Sequence, residues 1–100
     1  MYKAIILPPA KQDVKSAAHW YNKQEKGLGK NFTKQVRKKI KYIKKNPKTI
    51  AIRYDNTRTA LVNVFPYMIH FDIDEPKKLI IISAIFHTSR DSEKWHQRKK

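Results

Sequence analysis

Apolar residues recur along the chain every three or four positions up to Pro47 and every two positions after it. Ahead of the helical regime, Tyr2 to Leu7 is a short apolar run that predicts a strand. Pro8 and Pro9 suit the start of a helix, because proline is pre-organised for the first turn and lacks only an N–H that would be unbonded there. Ala10, Val14, Ala17, Ala18 and Tyr21 then share one stripe, which predicts a helix from Ala10 to about Lys26. Gly27-Leu28-Gly29 interrupts the stripe and predicts a tight corner. A second helix follows from about Lys30 to Lys45, with Leu28, Phe32, Val36, Ile40 and Ile43 on its inner side. Asn46-Pro47 ends it, since the residue before proline is pushed out of the helical region.

Beyond Pro47 the chain predicts strands. Thr57 to Phe65 is one and Tyr67 to Ile73 the next, with Tyr67, Ile69, Phe71 and Ile73 alternating with Met68, His70 and Asp72. Phe65-Pro66 connects them, and Asp74-Glu75-Pro76-Lys77 is a further turn. Leu79 to Phe86 is almost uninterruptedly apolar, as a central strand covered on both faces requires. Ile50 to Tyr54 fits a short strand or an extended loop equally well. From His87 onward the chain is polar; Asp91 can cap a short C-terminal helix whose Trp95 packs back onto the domain. The order is β-α-α-β-β-β plus that helix. It predicts an α+β fold, a helical hairpin packed on a small, mainly antiparallel sheet. No linker, repeat or low-complexity tract interrupts residues 1–100, so one domain is expected.

Hydrophobic residues make up 40% of the chain, enough for a core although 31% is charged. The absence of cysteine excludes disulfides and thiolate chemistry. Ala4 to Leu7 stops at the two prolines, too short for a signal peptide or a membrane span, which leads to the expectation of a cytoplasmic protein. Charge changes the picture most. Lys and Arg number 23 against 8 acids, a formal net charge of +15. Such a chain is drawn to nucleic acid, ribosome, acidic protein or anionic membrane. Lys34, Arg37, Lys38, Lys41, Lys44 and Lys45 recur opposite the apolar stripe of the second helix, with no acid among them. This ridge is a candidate face for a partner or nucleic acid, set against an ordinary solvated helix face.

Candidate chemistry lies in Tyr54, Arg58, His70, His87, Arg90 and Arg98. Histidine can move protons near neutral pH and arginine can stabilise a phosphate in a transition state. Every basic protein contains such residues, however. His70, alternating with Met68 and Asp72, also fits the outer sheet face, and His87 fits a structural tie to the tail. Asp72, Asp74 and Glu75 lack the glycine and ligand ladder of a calcium loop, and the four histidines show no metal spacing. Neither a phosphate-cradling loop nor a nucleophile elbow occurs, so no cofactor, metal or small-molecule substrate is expected. Trp20, Tyr21 and Trp95 read as core or core-edge residues.

The stretch from Arg58 to Phe71, with Phe65-Pro66-Tyr67 at its turn, resembles a segment of the RelE/ParE toxins, also called plasmid stabilisation proteins. His87, Arg90, Asp91, Trp95 and Arg98 match their His-x-x-Arg-Asp-Pro-x-x-Trp-x-x-Arg closure, with Ser92 where proline is frequent. Pro9-Ala10-x-x-Asp13 is similar to the start of their first helix. The resemblance implies the toxin of a type II toxin–antitoxin pair, neutralised by a cognate acidic antitoxin. ParE-like members inhibit DNA gyrase without cleavage chemistry; RelE-like members are ribosome-dependent mRNA endonucleases. Phe65-Pro66-Tyr67 and the closure look more like the ParE branch, which implies gyrase as the partner. The alternative is the ribosome and mRNA, with Arg58 and Arg90 on the phosphate and His87 as acid or base. A structural role for these three is the competing reading.

Overall fold

The computed structural model describes residues 1–90 and 94–95. In chain order it has β1 (Lys3–Ile6), α1 (Pro8–Gln24), α2 (Leu28–Lys45), a 3-10 turn (Pro47–Thr49), β2 (Ile52–Tyr54), β3 (Thr57–Leu61), β4 (Tyr67–Asp74) and β5 (Leu79–His87). The strands form one sheet in the order β1-β5-β4-β3-β2. β1 runs parallel to β5 and the other pairs are antiparallel. The expected α+β architecture is therefore present, a helical hairpin on a mainly antiparallel sheet, and Ile50 to Tyr54 resolves into a short edge strand. The expected C-terminal helix falls largely on residues outside the described ones.

α1 begins two residues earlier than its apolar stripe, because Pro8 and Pro9 lie inside its first turn. Leu7 joins sheet to helix: its N–H donates to the Ile82 carbonyl, and its own carbonyl accepts from Lys11. The corner after α1 is shorter than expected. It pivots on Gly27, at φ 89°, and α2 starts at Leu28. Asn22 of α1 supplies the missing cap, its Oδ1 accepting the Gly29 N–H at 2.8 Å. Gly29 is thus no corner residue but the point where the helices touch; a Cβ there would meet the Ala18 carbonyl oxygen and the Asn22 side chain.

The core lies between the hairpin and the sheet. Phe32, Val36 and Ile43 of α2 and Ala10, Ala17 and Tyr21 of α1 pack against Ile69, Phe71, Ile80, Ile82 and Ile85 of the sheet. β5 is covered on both faces only in its second half, from Ala84 to Phe86; Leu79, Ile81 and Ser83 are half-buried. The change comes at a bulge. His70 pairs with Ala84 but Phe71 pairs with Ile82, leaving Ser83 as the extra residue. The bulge turns Ile85 towards the helices after Ile82, and Ala84 and Phe86 towards the far face.

His70 sits on that far face, as the alternation predicts, yet it is fully buried. Tyr54 donates to or accepts from its Nδ1 at 2.9 Å, and the Trp95 ring lies 4.8 Å from it. The expected strand from Thr57 to Phe65 is cut short at Leu61, because Val64 turns left-handed at φ 76°.

The opposite end of the sheet is tied by Glu75. It accepts from Tyr2 Oη at 2.9 Å and from Lys78 Nζ at 2.7 Å, with Lys48 Nζ at 3.3 Å. These bonds, Lys78 first and then Tyr2, lower the Glu75 pKa to about 2. A carboxylate depressed in the folded state stabilises the fold above its ordinary pKa of 4.5, and that contribution is lost as pH falls towards 2.

Two outcomes follow. Gly29→Ala lowers stability in urea unfolding by about 1–3 kcal/mol, the range for overpacking a tight contact. Glu75→Gln makes the unfolding midpoint less sensitive to pH between about 4.5 and 2 than it is in the native chain, as thermal melts across that window would record.

Candidate functional site

Two surfaces carry the residues singled out by sequence. The first is α2. Lys34, Arg37, Lys38, Lys41 and Lys45 are exposed along it, and a shallow groove of about 690 Å³ runs beside Lys30, Thr33, Lys34, Arg37, Lys38 and Lys41. Lys44 is half-buried, and its carbonyl accepts the Tyr2 N–H at 3.1 Å. Among the described residues none of the six ridge cations meets a carboxylate. Like charges at this spacing destabilise a helix by roughly 0.2–0.5 kcal/mol per pair, so the ridge is a net cost to the isolated fold.

Beside the ridge, between α1 and α2, lies an apolar groove of about 460 Å³. Ile6, Val14, Ala18, Val36, Ile40 and Ile85 line it, and Lys11, Lys15 and Arg37 stand at its rim. Arg37 belongs to both surfaces.

The second site is the end of the sheet where β4 begins and β5 finishes. Tyr67 and His87 are cross-strand partners with rings 5.4 Å apart. His87 Nδ1 accepts the backbone N–H groups of Ser89 and Arg90, each at 3.1 Å, which places the neutral ring's proton on Nε2. The turn so formed carries Arg90 back over α1. Its Nη2 donates to Tyr67 Oη at 3.3 Å, and its guanidinium lies 5.4 Å from the Trp20 ring centre. An open cleft of about 320 Å³ results, lined by Asp13, Ser16, Trp20, Tyr67, Arg90 and Lys94. Burial raises the pKa of the Tyr21 phenol beneath it, with Arg90 opposing. Asp13 faces the cleft from α1, and its Oδ2 accepts the Ile85 N–H at 3.0 Å.

Arg58 is not part of this cluster. It pairs with Phe71, four residues along β4 from Tyr67, about 13 Å at strand rise. Its Nη1 donates to the Ile50 carbonyl at 2.6 Å, clamping the chain that leads into β2. Tyr54 and His70 lie together on the far face, and Arg98 is outside the described residues. Among the described residues no group of three His, Cys, Asp or Glu side chains could hold a metal ion. No helix there is long and apolar enough to cross a membrane.

A model of the family described as the ParE toxin of type II toxin–antitoxin systems matches residues 4–92. The chain belongs to the ParE toxin family. A solved structure titled as the chromosomal ParDE TA system from P. aeruginosa shares the fold at a TM-score of 0.76 and 16% identity, covering 89% of this chain and 98% of that one. No curated protein matches.

In this ParE-family chain, Tyr67, Trp20 and Asp13 build the cleft together with the predicted Arg90. Sequence reasoning passed over Trp20 as a core-edge ring. A usable signal existed for Tyr67, since the Phe65-Pro66 turn brings the next strand's first residue opposite the end of β5. Replacing Asp13 with alanine leaves the buried Ile85 N–H without its acceptor. Equilibrium unfolding of that variant is expected to show a loss of about 1–3 kcal/mol.

Proposed function

We propose that this chain is the toxin of a type II toxin–antitoxin pair, that it acts in the cytoplasm by inhibiting DNA gyrase, and that a cognate acidic antitoxin neutralises it. The antitoxin reading is supported by the two surfaces around α1 and α2. An amphipathic acidic segment would lay its apolar side in the groove of Val14, Ala18, Val36 and Ile40, and its carboxylates against Lys11, Lys15, Arg37 and the ridge. Binding there removes the self-repulsion of α2 as well as burying apolar surface.

One observation favours gyrase inhibition over RNA cleavage. The three residues that an endonuclease would use are dispersed or committed: Arg58 is engaged with a backbone carbonyl at the β2 end, while His87 Nδ1 holds the turn before Arg90. Cleavage needs a base, a cation and an acid around one phosphate. Binding to a protein target needs only a presented surface. No cofactor, small molecule or membrane enters this account.

Purified chain is expected to inhibit supercoiling by gyrase, and its induction in bacteria without antitoxin to stop DNA synthesis before protein synthesis. Translation arrest first, with gyrase unaffected in vitro, would reverse the reading in favour of the ribosome and mRNA. His87→Ala and Arg90→Ala would then be the variants to score for RNA cleavage.

A further inference from the structure

The connection between β3 and β4 has a conformation that its residues do not favour. Val64 stands at φ 76°, in the left-handed region, where a β-branched side chain is strained and glycine or asparagine would be at ease. Burial does not compensate: Val64 is 84% exposed, and Leu61 at the end of β3 is 57% exposed. The neighbouring backbone imposes the shape. Val62 N–H donates to the Tyr67 carbonyl at 2.8 Å, Tyr67 N–H to the Phe65 carbonyl at 2.8 Å, and the Phe65 ring is buried against Tyr21 and Phe32. Strain held by an over-determined surrounding, at an exposed apolar tip, is the pattern of a contact element.

The tip adjoins the Arg90 cleft. Thr88 N–H donates to the Pro66 carbonyl at 2.9 Å, so the hairpin connection and the turn carrying Arg90 are fastened together. Arg90 meets no carboxylate among the described residues, and it lies over Trp20, which is 45% exposed. One end of the molecule therefore presents Val64 and Trp20 with a guanidinium that meets no carboxylate among the described residues, while Leu61 lies on the sheet face away from α1. Its chemistry differs from the lysine ridge of α2, which suits an acidic segment along its length.

We infer that the Val64 tip and the Arg90–Trp20 cleft form the surface by which this chain engages its protein target, a surface apolar at its centre with a carboxylate facing Arg90. The inference rests on the toxin reading and names the face that carries it out. Aromatic and arginine side chains dominate the energetics of protein interfaces, and an exposed valine fixed by its backbone loses little freedom on binding.

The test compares the native chain with Val64→Gly and Val64→Asn in gyrase supercoiling assays containing no antitoxin, alongside thermal melts and growth arrest on induction. Both replacements suit a positive φ, so Tm is expected to hold or rise while inhibition weakens about tenfold, the loss of one valine side chain buried on binding. Undiminished inhibition by both variants would overturn the inference and leave the gyrase reading standing. A fall in Tm for both would also overturn it, because Val64 would then serve the fold. If the native chain arrests growth without inhibiting gyrase, the gyrase reading fails; growth arrest then decides the tip, retained arrest in the variants overturning it and lost arrest supporting it. A native chain that arrests nothing overturns both.

Discussion

Four rings hold this fold at the end where its candidate site lies. Tyr21 of α1, Phe32 of α2, Phe65 of the hairpin connection and Tyr67 of β4 meet pairwise with ring centres 4.9–6.1 Å apart. Each such contact adds about 0.5–1.5 kcal/mol to the burial of the rings themselves. Both helices, the hairpin connection and the sheet converge in this cluster. Trp20 stands on it edge-on, 5.0 Å from Tyr21, and Arg90 reaches it through Tyr67 Oη. The cleft, the strained Val64 and the turn after β5 are all positioned by what these rings fix.

The rest of the molecule is shaped by charge. With 23 basic residues against 8 acidic ones, few cations can be matched internally. Glu75 takes two lysines at the far end of the sheet, while the α2 ridge meets no acid among the described residues. A free chain of this kind holds its fold against its own repulsion, and a partner that discharges the ridge stabilises the folded state by mass action. In the proposed function, neutralisation by an acidic segment and stabilisation of the chain are one event.

Much of this was legible. The inner face of α2 could be read from Phe32, Val36 and Ile43 because a helix repeats its buried positions independently of what covers them. Family membership was legible in the Phe65-Pro66-Tyr67 turn and the closure from His87 to Trp95. What failed depended on tertiary contacts. The bulge at Ser83 hides inside a run of apolar residues with no alternation to break. Thr57, Thr59, Val62, Val64 and Phe65 are strand formers, and they outweigh the local turn signal of Asn63 and Pro66 that marks where Val64 leaves the ladder. His70 obeys its alternation, but only the folded positions of Tyr54 and Trp95 bury it. Arg58 and His87 looked like members of one site because spacing along a chain carries no information about which end of a sheet each residue reaches.

The aromatic cluster couples the helical hairpin to the end of the sheet that carries the candidate site. Amide hydrogen exchange on the native chain and on Phe32→Leu tests it directly. The variant is expected to lose protection in α1 and α2 and, together with them, at the Ile85 and Thr88 amides, which depend on Asp13 of α1 and on the hairpin connection. Helices that open more readily while Ile85 and Thr88 keep their native protection would contradict it.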